Sequence, residues 1–436
     1  MKKRIKADLL FFLLEVLFFC PDFVVGQNRS DGEFDLYQIR KSSGPVVGLK
    51  SGGLVTEKDT CSFSGRFIHQ FGLEFRPGYV FPTNSFLAGR NYVSSPVRDA
   101  YAAHLKYAFQ FTPYSLADRI WGGAYQGIGI GYYSFGNVTE LGNPVAVYLF
   151  QGARIVSFSS RISFNYEWNF GLSLGWKPYD RENNPYNVMI GSKMNAYINT
   201  NFYLNWVLSP YFNLNAGVTL THFSNGNTRF PNAGLNMMDF KVGLVYHFNR
   251  KEACLSKLLN HTFIPVFPRH VSYDLVLFGS WRRKGYFSEE GFVPSPDAYK
   301  VMGVNLAAMY NVSYKFRAGI ALDWVYDASA NVFVLSDPGT SQGFVEPPFN
   351  AQIALGVSGR MEYVMPYFTV GIGMGANILH RGGDLRSFYQ MLILKISMTR
   401  NTFLHVGYNL KDFRDPNFLM LGIGFRFNNK YPKNGL

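Results

Sequence analysis

Charged side chains are scarce in this chain. Asp, Glu, Lys and Arg make up 16% of its 436 residues, whereas a soluble domain carries about a quarter. Long apolar runs are missing as well. Beyond the N-terminus, no stretch approaches the roughly 20 apolar residues that a membrane helix needs. An ordinary soluble domain and a helical membrane bundle are therefore both poor fits. Cysteine is rare, with three in all, and no Cys/His grouping has metal-ligand spacing. Neither a metal nor another cofactor is expected. What is abundant is aromatic: 41 Phe, 28 Tyr and 6 Trp, alongside 43 Gly. Low charge, many aromatics and no long apolar run describe a membrane β-barrel, whose strands alternate in polarity.

The N-terminus has the three parts of a secretory signal. Lys2, Lys3, Arg4 and Lys6 are basic, Leu9 to Phe19 are apolar apart from Glu15, and Val24-Val25-Gly26 precede an expected cut at Gln27. The apolar part is too short to span a bilayer. Residues 1–26 are thus read as a signal peptide, and the polar stretch 27–61 as a periplasmic N-terminal segment. The mature chain keeps Cys61 and Cys254, which an oxidising periplasm permits to pair. The net charge of +13 suits an anionic partner such as the phosphates of lipopolysaccharide. Nucleic acid is not expected in an exported, aromatic-rich chain without a basic helix.

From Ser62 onward the residues alternate. Ile162–Trp176 is the clearest case, with Ile162, Phe164, Tyr166, Trp168, Phe170, Leu172, Leu174 and Trp176 on even positions. Between them stand Ser163, Asn165, Glu167, Asn169, Gly171, Ser173 and Gly175. A period of two over that length is a strand between two different solvents, and the apolar row should face lipid. Sixteen such strands are expected. Eight lie in residues 62–250: 66–80, 100–112, 125–136, 143–160, 162–176, 192–209, 211–226 and 234–248. Eight lie in 270–428: 270–286, 299–313, 314–329, 348–364, 367–379, 387–399, 402–413 and 417–427. Residues 251–269, with Arg250, Lys251 and Lys257 around Cys254, serve as linker.

The fold class is all-β, a transmembrane antiparallel barrel, with two arrangements open. One is an eight-stranded barrel followed by a second; the other is a single sixteen-stranded barrel. A Cys61–Cys254 disulfide would favour the first, because the two cysteines flank strands one and eight. Two glycine runs, Gly127 to Gly131 and Gly371 to Gly375, superficially suit a phosphate loop. Both lie inside strand-like alternation, so they are read as lumen-packing glycines.

One strand carries a chemical anomaly. On 211–226 the even positions are Phe212, Leu214, Ala216, Val218 and Leu220, and then His222 and Ser224. Two polar residues thus continue the lipid-facing row, where they are costly. They share one face, two positions apart. A serine hydroxyl becomes a nucleophile when a neighbouring base takes its proton, and histidine is the usual base near neutral pH. On the next strand, Asn236 begins the same face and would orient the histidine. With the N-terminus periplasmic, this strand ends at the cell surface.

The segment from His222 to Asn236 resembles the active-site segment of the lipid A 3-O-deacylase (PagL) family. The His-x-Ser-Asn pattern falls on His222, Ser224 and Asn225, and a later Pro-Asn pair on Pro231 and Asn232. The resemblance implies an eight-stranded outer-membrane barrel over about residues 62–250 that hydrolyses an ester-linked acyl chain of lipid A. It implies Ser224 as nucleophile, His222 as general base, and Asn225 and Asn232 as holders of the oxyanion. Where the family carries Glu, this chain has Asn236. Asp239 is nearby, but parity points it into the lumen. In the second half, Asp412 and Arg414 take the places of His222 and Ser224, so that half is expected to be catalytically silent.

The expected function is therefore an outer-membrane ester hydrolase acting on lipid A. Two alternatives remain at this point: a non-enzymatic porin-like or surface-binding barrel, and a phospholipase on the same scaffold.

Overall fold

The computed structural model describes residues 67–431, apart from 114, 251–263, 289–290, 296, 336–342, 386–387 and 412–414. The expected signal peptide, the 27–61 segment and both cysteines of the expected disulfide lie outside the described residues.

The alternation resolves into two closed antiparallel barrels of eight strands each, not one of sixteen. The first runs β1 (Phe67–Val80), β2 (Asp99–Phe111), β3 (Tyr125–Ser134), β4 (Gly142–Ser157), β5 (Ile162–Trp176), β6 (Met194–Val207), β7 (Phe212–Ser224) and β8 (Leu235–His247). It closes where β1 pairs with β8, with Phe71 opposite Tyr246 and Tyr79 opposite Met238. The second barrel opens with β9 (His270–Arg282). Two surface hairpins lie along its chain: β10 (Gly285–Ser288) with β11 (Gly291–Pro294), and β14 (Phe333–Leu335) with β15 (Gly343–Val345). Its wall continues through β12 (Tyr299–Asn311), β13 (Phe316–Asp327), β16 (Ile353–Val364), β17 (Phe368–Leu379), β18 (Phe388–Ser397), β19 (Thr402–Lys411) and β20 (Asp415–Phe427). β20 pairs back onto β9.

Each barrel is greasy outside and ionic inside. Leu73, Phe75, Leu105, Ile130, Leu172, Phe240 and Leu244 are exposed on the first, and Leu277, Leu306, Ile320 and Ile423 on the second. In the first lumen, the Lys106 ammonium lies 2.5 Å from Glu167 and 2.9 Å from Glu74, which also binds Arg76 at 2.5 Å and Lys241 at 3.2 Å. The second lumen repeats the device: Lys395 reaches Asp274 at 2.7 Å and Glu362 at 2.6 Å, and Arg317 and Arg426 complete the network. Charges in such a low-dielectric interior persist only when paired. The lumen glycines are where the sequence put them: a Cβ at Gly129 would stand 2.4 Å from the Tyr148 ring.

Three features depart from the sequence reading, one of them Trp168, which is buried against the second barrel instead of facing lipid. Trp176 does not face lipid; it is buried and its indole N–H donates to Ser173 Oγ at 2.8 Å. Gly175 adopts φ +94° next to an irregular β4–β5 register, and this break in the alternation turns Trp176 inward over the lumen. A short helix, α1 (Leu116–Trp121), also lies between β2 and β3, capped by Ser115 Oγ accepting from Asp118 N. It is too short to show a 3.6-residue period.

Tight turns at 158–161, 208–211, 312–315, 365–367 and 398–401 mark one end of both barrels. Longer connections, including 81–98, 177–193 and 225–234, mark the other end of the first. A seam joins the barrels side by side. Near the tight-turn end, Trp168 packs edge-on to Phe368 at 4.8 Å and its N–H meets Met365 Sδ at 3.3 Å. Trp121 donates to Val364 O at 3.1 Å, and Tyr367 meets Phe109 edge-on and stacks on Phe111.

Candidate active site

The site is built on the long-loop end of β7 and β8. Inward residues fix the wall. Thr221 and Thr219 donate to Asp239 Oδ2, each at 3.0 Å, so Asp239 does face the lumen. Phe223 is fully buried among Tyr133, Trp176 and Tyr197. With Thr221 and Phe223 pointing in, strand pleating puts His222 and Ser224 outside on one face, about 7 Å apart along the strand. Both are half-buried.

The register sets His222 opposite Asn236. Their side chains meet, with His222 Nδ1 2.6 Å from Asn236 Oδ1. An amide oxygen can only accept, so Nδ1 carries the proton and Nε2 keeps its lone pair. That is the tautomer a general base needs.

Loop 225–234 closes over this pair. Asn225 O accepts from the backbone N–H of Thr228 at 3.2 Å and from its hydroxyl at 2.8 Å. Between them, Gly226 and Asn227 both have φ +63°. Two successive positive φ values make a mirror-image turn, which glycine and asparagine tolerate best. Asn232 pins the loop internally: its Oδ1 accepts from Asn225 N at 2.9 Å and its Nδ2 donates to Asn227 Oδ1 at 3.1 Å. Asn225 differs. Its side-chain Nδ2 is buried and, among the described residues, has no hydrogen-bond acceptor. A buried amide donor left open costs about 1–3 kcal/mol, and this one belongs to the residue after Ser224.

Gly234 was not singled out by sequence. It has φ +68°, and a Cβ there would stand 3.2 Å from His222 Cε1 and 3.7 Å from Ser224 Cβ. Its bare backbone leaves room between the histidine and the serine. The signal was the glycine itself, two residues before Asn236.

The structure thus brings together His222, Ser224, Asn225, Asn232 and Asn236 around one outward-facing patch. It can present a hydroxyl, a base of fixed tautomer and an open amide donor to a group arriving along the barrel wall. The corresponding positions of the second barrel, Asp412 and Arg414, lie outside the described residues.

Comparison with known proteins follows this division into halves. Residues 102–245 match the family model of lipid A 3-O-deacylase (PagL), and residues 271–429 match that of the acyloxyacyl hydrolase C-terminal domain. No curated protein matches the chain. Among solved structures, Neisserial surface protein A is 7% identical, aligned over 42% of this chain and 96% of its own, with a TM-score of 0.26. A mutant of the TodX monoaromatic hydrocarbon channel is 8% identical over 83% of this chain and 90% of its own, with a TM-score of 0.17. An Acinetobacter baumannii outer membrane protein is 9% identical over 83% and 99%, with a TM-score of 0.15.

Proposed function

We propose that this outer-membrane protein, whose barrels match the PagL lipid A 3-O-deacylase and acyloxyacyl hydrolase C-terminal families, removes an ester-linked acyl chain from lipid A by serine hydrolysis in the outer leaflet. The carrying observation is the 2.6 Å contact that fixes the His222 tautomer, on the same outward face as Ser224. Polar side chains are costly in a lipid-facing position, which makes them candidates for function there.

Ser224 Oγ attacks the ester carbonyl while His222 Nε2 accepts its proton. The Asn225 amide donates to the oxyanion. Collapse expels the sugar hydroxyl, which takes the proton back from Nε2, and leaves an acyl-serine. Water then attacks with the same base, releasing the fatty acid and restoring Ser224. Asn236 orients the ring but carries no charge, so imidazolium is stabilised less than it would be by a carboxylate. The long-loop end corresponds to the cell surface in outer-membrane barrels, so the site would meet lipid A from the outer leaflet. No loop need open onto the lumen, which is crossed by the Glu74–Lys106–Glu167 bridge. That bridge also weighs against the porin-like reading.

Mass spectrometry of lipid A from cells expressing the wild-type chain or Ser224→Ala tests the proposal. Loss of one acyl chain with wild type alone is expected. Identical lipid A, with both proteins inserted, would remove lipid A as the substrate. Release of fatty acid from phospholipid by wild type alone would instead establish the phospholipase on this scaffold.

A further inference from the structure

Among the described residues the second barrel adds none to the proposed site, yet its wall touches the loop that carries it. Several outward side chains along the seam are as buried as a core. Trp168 is 4% exposed, and on the facing barrel Gln390 and Leu394 are 3% and 5% exposed. All three lie on rows that would otherwise contact lipid, and Trp168 and Leu394 share one apolar cluster. At the long-loop end the seam reaches the mirror-image turn. A Cβ on Gly226 would stand 3.6 Å from Tyr408 Cε2 and 3.8 Å from Leu419 Cβ. Beside it, the Arg283 backbone N–H donates to Asn227 O at 3.1 Å. Tyr408 and Leu419 face each other across the β19–β20 ladder, and both point outward, because Phe403, His405, Asn409, Phe418 and Met420 are buried inside. Loop-tip residues Asn225 and Asn227 are each only 6% exposed.

We propose that the second barrel is a positioning module for the active site: Tyr408, Leu419 and the Arg283 backbone clamp loop 225–234 from outside and hold the Asn225 amide in its donating position. The inference rests on the hydrolase reading of the site. The physical logic is preorganisation. A donor at the edge of a Gly-Asn turn is held by few bonds of its own, and a misplacement of about 1 Å can cost about a hundredfold in rate. Glycine suits position 226 because its φ of +63° is one that L side chains rarely adopt, and its bare Cα lets Tyr408 and Leu419 lie close against the turn. The second barrel thus serves as a rigid buttress. Tyr408 and Leu419 act through the loop; they are positioning residues, not catalytic ones.

The test uses the full chain in lipid vesicles containing lipid A. The double substitution Tyr408→Ala with Leu419→Ala should raise hydrogen exchange of the 225–234 amides by about tenfold or more and lower kcat by a similar factor, with KM little changed. Tyr408→Phe alone, which keeps the ring, should restore both readings to near wild type. Exchange in β1 and β8 should stay unchanged in every variant, which separates unclamping from unfolding. Unchanged loop exchange, or faster exchange with wild-type kcat, overturns the inference. If the wild type hydrolyses no lipid A, the hydrolase reading fails by itself, and the clamp then stands or falls on loop exchange alone.

Discussion

His222 and Asn236 face each other across the β7–β8 ladder, ring nitrogen to amide oxygen at 2.6 Å, on the outside of a closed barrel. The contact separates two tasks that a carboxylate performs together. Asn236 selects the tautomer, but it offers no charge to the imidazolium formed when the base accepts a proton.

Asn236→Asp should therefore raise kcat. A charge-assisted hydrogen bond exceeds a neutral one by about 1 kcal/mol, or about fivefold in rate. Asn236→Ala should lower kcat, because the ring loses its partner and its fixed tautomer. Steady-state deacylation by the two variants, at matched amounts of inserted protein, checks the pair. A slower Asn236→Asp enzyme would sink the idea that charge is the missing part.

The two loop asparagines should respond in opposite ways. Asn225→Ala removes a buried donor that has no acceptor among the described residues, and with it only one long bond, from Arg229 N to Oδ1 at 3.4 Å, so it should change stability little. If that amide holds the oxyanion, kcat should fall by about 10²–10³. Asn232→Ala removes two loop bonds at 2.9 and 3.1 Å. It should loosen residues 225–234 and cost about 1–2 kcal/mol in urea unfolding, at about 1 kcal/mol per hydrogen bond.

Gly234→Ala places a methyl 3.2 Å from His222 Cε1 at a backbone with φ +68°. The strain and the crowding both act on the gap between base and nucleophile. Deacylation should fall by about a hundredfold while the barrel still inserts, as judged by its heat-dependent mobility on gels. Normal kcat would show that the gap is not used.

Lumen charges should matter for stability and not for chemistry. Glu167→Ala leaves the Lys106 ammonium, 2.5 Å away in the native protein, without its closest partner. Breaking such a buried pair costs about 3–5 kcal/mol, measurable by urea titration of the folded barrel. The fraction that remains folded should deacylate at the wild-type rate.

The alternation determined much of this protein by itself. A two-residue period over more than ten residues marks a long strand with one apolar and one polar face, and each of the sixteen expected strands is present. The same parity rule isolated His222, Ser224 and Asn236, because a polar residue on a lipid-facing row has no local reason to be there. Parity failed only where the backbone broke it, at Gly175, where Trp176 turned inward. The tertiary structure decided what no strand contains. Closure into two barrels depends on β1 finding β8 and β9 finding β20, pairings between segments far apart in sequence. The 2.6 Å contact of His222 with Asn236 depends on register, which a one-residue slip would abolish. The seam that sets Tyr408 and Leu419 against Gly226 follows from the packing of two curved walls. Their outward side chains read in sequence like any other lipid-facing residues, so only the folded arrangement distinguishes them.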